Sequence, residues 1–184
     1  VTALTLPASL LLGALGLRVA REVLLVRRSL VRHDGKGRGT LLVFGLSWVV
    51  AASQALSVAT KAESVTAVMV LGILAMLGFH HMRVRIATRQ LGAGYDTGIV
   101  PQGGLVTHGA YAWIRHPVYL FYALELAALA IGFPTWMGAL AFMANLIATL
   151  VRIPAEERHL ARVFGTDWNA FASTVRWRLI PRIW

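Results

Sequence analysis

The 184-residue chain has no cysteine, which removes disulfides, thiolate nucleophiles and thiolate-held metals from consideration. Charge is scarce: 14% of residues are Asp, Glu, Lys or Arg while 57% are hydrophobic, far from the balance of a soluble domain. Acidic residues are scarcer still, 8 against 18 Lys and Arg, giving a formal net charge of +10. In a soluble protein that excess would suggest nucleic acid. Beside apolar spans it suits the retention of basic residues on one membrane face, so no nucleic-acid partner is expected. The N-terminus lacks a basic region ahead of its apolar stretch and lacks a small-residue cleavage pattern, so it reads as a retained span.

What is present is a series of apolar windows at about Leu4–Leu25, Leu41–Thr60, Ala62–Met82, Val118–Phe133 and Trp136–Val151. Their lengths approach those of membrane-spanning helices. The expected fold is therefore all-α, a polytopic membrane protein with about five transmembrane helices and a cytoplasmic C-terminal amphipathic helix over Pro154–Val175, interrupted near Gly165. The tight Phe133-Pro134-Thr135 link makes the last two spans an antiparallel hairpin. With the N-terminus outside, every Lys and Arg except Lys61 falls on the cytoplasmic side. Residues 83–115, with Gly92, Gly94, Gly98, Gly103, Gly104 and Gly109, read as a loop or frayed helix plus turn.

Three local features bear on chemistry. Arg115-His116-Pro117-Val118-Tyr119 opens the fourth span; it is either a basic anchor with a helix-starting proline or an anion site at a helix N-terminus. Arg152 and Glu156, with Glu157 beside them, follow the fifth span and share a face if the helix continues through Pro154; the plain alternative is a dipole-complementing acidic helix start. Gly103-Gly104-Leu105-Val106-Thr107-His108-Gly109-Ala110-Tyr111 permits close backbone approach, but no Gly-Lys-Ser/Thr follows. The hairpin brings the first two features to one bilayer depth, with Tyr111, Trp113, Tyr119 and Trp168 expected to line the site. Glu125, in the fourth span, follows Tyr119 and Tyr122 at three-residue steps, and is either a functional carboxylate or an interhelical contact. His80-His81 reads as an interface anchor, because adjacent helical residues diverge; no metal site is expected.

These elements resemble the isoprenylcysteine carboxyl methyltransferases and the related phospholipid N-methyltransferases, from about Leu91-Gly92 to the C-terminus. The match comprises Leu105-Val106, Gly109-x-Tyr111, Arg115-His116-Pro117-x-Tyr119, Arg152 with Glu156-Glu157, Leu160, Phe164-Gly165, Trp168 and Ile180-Pro181. Tyr95, where the family often has Trp, and Phe171, where Tyr is frequent, depart from it. The resemblance implies S-adenosylmethionine as cofactor and a lipophilic or prenylated acceptor taken from the bilayer.

On that basis the chain is one membrane domain, with a three-helix part at 1–90 and a cofactor-binding part at 91–184. The cofactor residues are expected to be Leu105, Val106, Gly109, Tyr111, Arg115, His116, Pro117, Tyr119, Glu156 and Glu157. Glu156 or Glu157 would hold the ammonium, and Arg115, His116 or backbone amides near Leu105 and Val106 the carboxylate. Arg152 and Glu156 are the expected catalytic residues, and Arg152, Glu125 and Tyr122 the acceptor residues. Carboxyl O-methylation is favoured. A phospholipid N-methyltransferase, a sterol-reductase-like enzyme using a reduced nicotinamide dinucleotide, and a non-catalytic scaffold remain as alternatives.

Overall fold

A computed structural model describes residues 5–29, 38–91 and 104–184. Gly92, Gly94, Tyr95, Gly98 and Gly103 of the glycine-rich stretch, and Arg32 and Lys36, lie outside them. The described residues form helices α1 (Leu6–Ser29), α2 (Arg38–Lys61), α3 (Ala67–Ile86), α4 (Pro117–Gly132) and α5 (Trp136–Thr174), and contain no strand. A π turn at Ala87–Leu91 prolongs α3, and a 3₁₀ turn at Gly109–Ala112 precedes α4.

Local chemistry sets the helix boundaries. Thr66 and Thr135 begin α3 and α5 by accepting the amides of Met69 and Gly138, groups that otherwise lack partners at a helix start. Pro117 occupies the first position of α4, where its missing N–H costs nothing. Three helices are long and apolar enough to cross a membrane: Leu42–Lys61 of α2, α3 with its π turn, and α5, while α4 is a shorter apolar helix. The chain is thus an integral membrane protein.

The helices alternate in direction. Thr5 Oγ1 donates to the Ala59 carbonyl at 2.7 Å, so the start of α1 lies beside the end of α2. Gly72 of α3 meets Gly132 of α4, where an added Cβ would stand 2.7 Å from the Gly132 Cα. Only glycine at both positions allows that approach. Along α3·α4 and α2·α5 the packing is most extensive. The core holds Ala8, Leu11, Trp48, Ala55, Met76, Leu126 and Leu129.

The C-terminal end resolves the question of Pro154, which the sequence leaves open. α5 runs through Pro154 without a break, so residues 154–164 continue the last span, and the interruption expected near Gly165 is a kink at that residue (φ 51°, ψ −116°), beyond which a shorter helix leads to Thr174. At 1.5 Å per residue the continuous part from residue 136 to residue 164 is about 44 Å long against a hydrocarbon core of about 30 Å, so one end must leave the membrane. Its apolar side is used by the protein itself: Trp168, Phe171 and Val175 pack with Leu105, Tyr111, Leu160 and Phe164.

Candidate active site

The start of α4 and the emerging part of α5 converge on Glu157. Arg115 Nη1 donates to Glu157 Oε1 at 2.9 Å, and His116 Nε2 lies 3.3 Å from the same oxygen. Arg178 Nε donates to Oε2 at 2.9 Å. The segment after α5 is held across this group by its backbone, since Arg115 N donates to the Trp177 carbonyl and His116 N to the Arg178 carbonyl, both at 2.9 Å. Arg115 Nη2 also donates to the Arg176 carbonyl at 2.9 Å. Burial pulls the Arg115 guanidinium below its ordinary pKa, with Glu157 opposing that fall and Arg178 adding to it.

One residue earlier on α5, Glu156 faces a second set of partners. Tyr119 Oη donates to Glu156 Oε2 at 2.6 Å, and Arg152 Nε donates to Tyr119 Oη at 2.6 Å. Arg152 is buried while Glu156 is half-buried. Continuity through Pro154 is what makes this possible, because Arg152 and Glu156 are then one turn apart. The His116 and Tyr119 rings lie 5.8 Å apart and join the two sets.

The remaining expected residues are distributed around this centre. Leu105 and Tyr111 belong to the apolar cluster under Trp168 and Phe171. Gly109 has a positive φ of 64°, and a Cβ there would meet the Gln90 side chain, whose Oε1 accepts the Ala110 amide at 3.1 Å. Trp113 is 78% exposed.

Glu125 lies in a different group. Three-residue steps fall short of a full helical turn, so Tyr119, Tyr122 and Glu125 fan around α4. Phe44 of α2 contacts the rings of both tyrosines, at 6.1 and 5.5 Å. Glu125 is instead fully buried against α1 and α3, bonded to Arg83 Nε, to Arg18 Nε at 3.3 Å and close to His80 Nδ1 at 3.4 Å. Arg18 stacks on Trp48 at 3.5 Å, and Arg83 lies over Tyr122 at 5.0 Å. His81 is exposed and pairs with Arg21 at 3.3 Å. Among the described residues no cluster of three or more potential metal ligands forms.

Arg178, Arg18, Arg83 and Phe44 carry no local sequence signal that marks them as members of these groups. Arg178 is 21 residues from Glu157 and Arg18 is 107 from Glu125, separations at which no periodicity operates.

This geometry, a carboxylate pair on one transmembrane helix meeting an Arg-His-Pro start on its neighbour, coincides with the comparison of sequences. No curated protein matches the chain. Residues 70–162, half of the chain, match the isoprenylcysteine carboxyl methyltransferase family, and both carboxylates, Arg152 and the Arg115–Tyr119 segment fall inside that match. The chain belongs to the isoprenylcysteine carboxyl methyltransferase family and is a membrane methyltransferase.

Proposed function

We propose that the protein transfers a methyl group from S-adenosylmethionine to the carboxylate of a lipophilic acceptor at the cytoplasmic membrane face. The observation that carries this is the junction of Glu156, Tyr119 and Arg152, a half-open carboxylate and a buried guanidinium bridged by one hydroxyl. When bound, S-adenosylmethionine supplies an electrophilic methyl on a sulfonium; it also presents an ammonium and a carboxylate. The donor set fits these charges. Glu156 takes the ammonium, and Arg115 and His116 take the carboxylate. Leu105, Val106, Gly109 and Tyr111 form the adjoining wall, and Pro117 fixes the direction of α4.

Glu157 has a different task in this reading. Both of its oxygens are engaged by Arg115, His116 and Arg178, so it is a positioning residue that gathers them. Arg152 orients the acceptor, with Tyr122 along the path from the bilayer, while Glu125 ties α4 to α1 and α3. A carboxylate is already ionised at neutral pH, so no general base is required, and alignment supplies most of the rate. With the cofactor bound, Arg152 would hold the acceptor oxygen in line with the methyl, whose sulfonium would depart as a neutral thioether. The orientation follows the positive-inside rule, with residues 91–184 holding the cofactor part and five spans in all.

The test is calorimetry of S-adenosylmethionine binding, paired with lipid extraction after incubating native membranes with methyl-labelled cofactor. Binding that weakens in Glu156→Gln, together with label released from lipid as methanol by mild base, is expected. Base-stable label would indicate N-methylation. Binding of a reduced nicotinamide dinucleotide, with no binding of S-adenosylmethionine, would overturn the reading.

A further inference from the structure

Within the apolar stretch of α5 two polar residues are completely buried, Asn145 and Thr149. Neither Asn145 Nδ2 nor Oδ1, nor Thr149 Oγ1, has a hydrogen-bond partner among the described residues. Other hydroxyls in the helices behave differently: Thr88 and Thr174 each donate to the carbonyl four residues back, at 2.8 and 3.0 Å. Thr149 makes no such bond, and hydrocarbon offers an amide or hydroxyl nothing in exchange.

Steps of four and three residues put Asn145, Thr149 and Arg152 on one stripe of α5, all of them buried. Along the axis Thr149 stands about 4–5 Å, and Asn145 about 10 Å, from Arg152 toward the middle of the membrane. The stripe therefore begins at the guanidinium assigned above to the acceptor and continues inward as a row of groups that donate and accept. The helix packs on α2 and α4, so a ligand reaching these groups would lie between helices.

We propose that Asn145 and Thr149 form an acceptor-specificity site, which hydrogen-bonds an amide or hydroxyl carried on the acceptor's tail about 5–10 Å from the group held at Arg152. The acceptor class is then an anionic amphiphile with a polar group inside its tail, and a plain hydrocarbon tail is the poorer ligand. This rests on the assignment of Arg152 to the acceptor.

The test uses the full-length protein in detergent and two chain-length-matched probes: a long-chain carboxylate with a mid-chain amide and its saturated parent. Calorimetry should give about tenfold tighter binding of the amide probe, the worth of one or two additional hydrogen bonds. Asn145→Leu and, separately, Thr149→Val should reduce that preference while raising the melting temperature of the unliganded protein, because each removes an unpaired polar group. Equal affinity of the unaltered protein for both probes, or a preference that survives both substitutions, overturns the proposal and assigns the stripe to internal water. The unaltered protein alone decides the first point, so a variant that fails to fold leaves the test intact. Cofactor calorimetry and methyl transfer to the saturated probe separate the outcomes: if both succeed without an amide preference, only this inference falls. If S-adenosylmethionine does not bind yet the preference persists, the methyl-transfer reading falls and the ligand class stands.

Discussion

Adjacent carboxylates with different surroundings should respond differently to the same substitution. Glu157 accepts from Arg115 and Arg178 and lies against His116, so Glu157→Gln leaves two guanidiniums without their common charged partner. The expected cost is about 3 kcal/mol, the scale for breaking a largely buried pair, and it should appear as a lowered melting temperature. Glu156 is half-buried and takes one hydrogen bond from Tyr119, so Glu156→Gln should cost about 1 kcal/mol or less in stability. Its effect belongs to cofactor affinity. A stability loss that is larger for Glu156→Gln, measured by thermal denaturation in the same detergent, would reverse the two roles.

At the level of helices, the site depends on where α4 stands against its neighbours. The Gly72–Gly132 crossing sets that position, since a Cβ on Gly72 would come within 3.0 Å of the Ala128 carbonyl as well as 2.7 Å of the Gly132 Cα. Backbone atoms cannot rotate away as a side chain can, so α3 and α4 must separate. Gly72→Ala is expected to destabilise the protein by about 1–3 kcal/mol, the range for overpacking. Gly13→Ala provides the comparison, because a Cβ there meets nothing within 4 Å. Melting temperatures that fall equally in both variants would show that the close crossing is not responsible.

Across the whole molecule, Glu125 is the point at which α1, α3 and α4 are tied together, by Arg18, His80 and Arg83. Glu125→Leu strands two buried guanidiniums and should cost about 3–5 kcal/mol. Replacing Arg18 and Arg83 by Met as well should recover much of that loss, since an apolar core of similar volume replaces an ionic one. A triple variant no more stable than the single one would show that the ion cluster contributes more than its members' desolvation removes. The lack of native cysteine also permits a topology test. With the proposed orientation, Lys61→Cys should react with an impermeant thiol reagent from outside intact cells, and Arg162→Cys only after permeabilisation. The opposite pattern would place the site on the other face.

Much of the fold was legible in the chain because apolar content per stretch decides membrane residence, and helix starts are local. The windows, the proline start of α4 and the tight turn before Trp136 correspond to helices found, with the π turn carrying α3 on to Leu91 and α5 reaching Thr174 beyond the apolar windows. The Arg115–Tyr119 segment and the Glu156–Glu157 pair were legible as candidates, and the antiparallel hairpin sufficed to place them together. Helix continuity through Pro154 is not specified by the sequence, because proline removes one backbone bond without dictating whether the helix resumes.

The sequence by itself determined that this is a helical membrane protein, and it marked the Arg115–Tyr119 segment, Arg152 and the Glu156–Glu157 pair as polar residues that had to find one another. Tertiary structure alone decided the pairings: Glu157 with Arg178, Glu125 with Arg18 and Arg83, and Tyr119 between Arg152 and Glu156. The reason is physical. Apolarity and helix capping act over a few neighbouring residues, whereas a buried charge takes its partner from whichever helix the packing of the whole chain brings beside it.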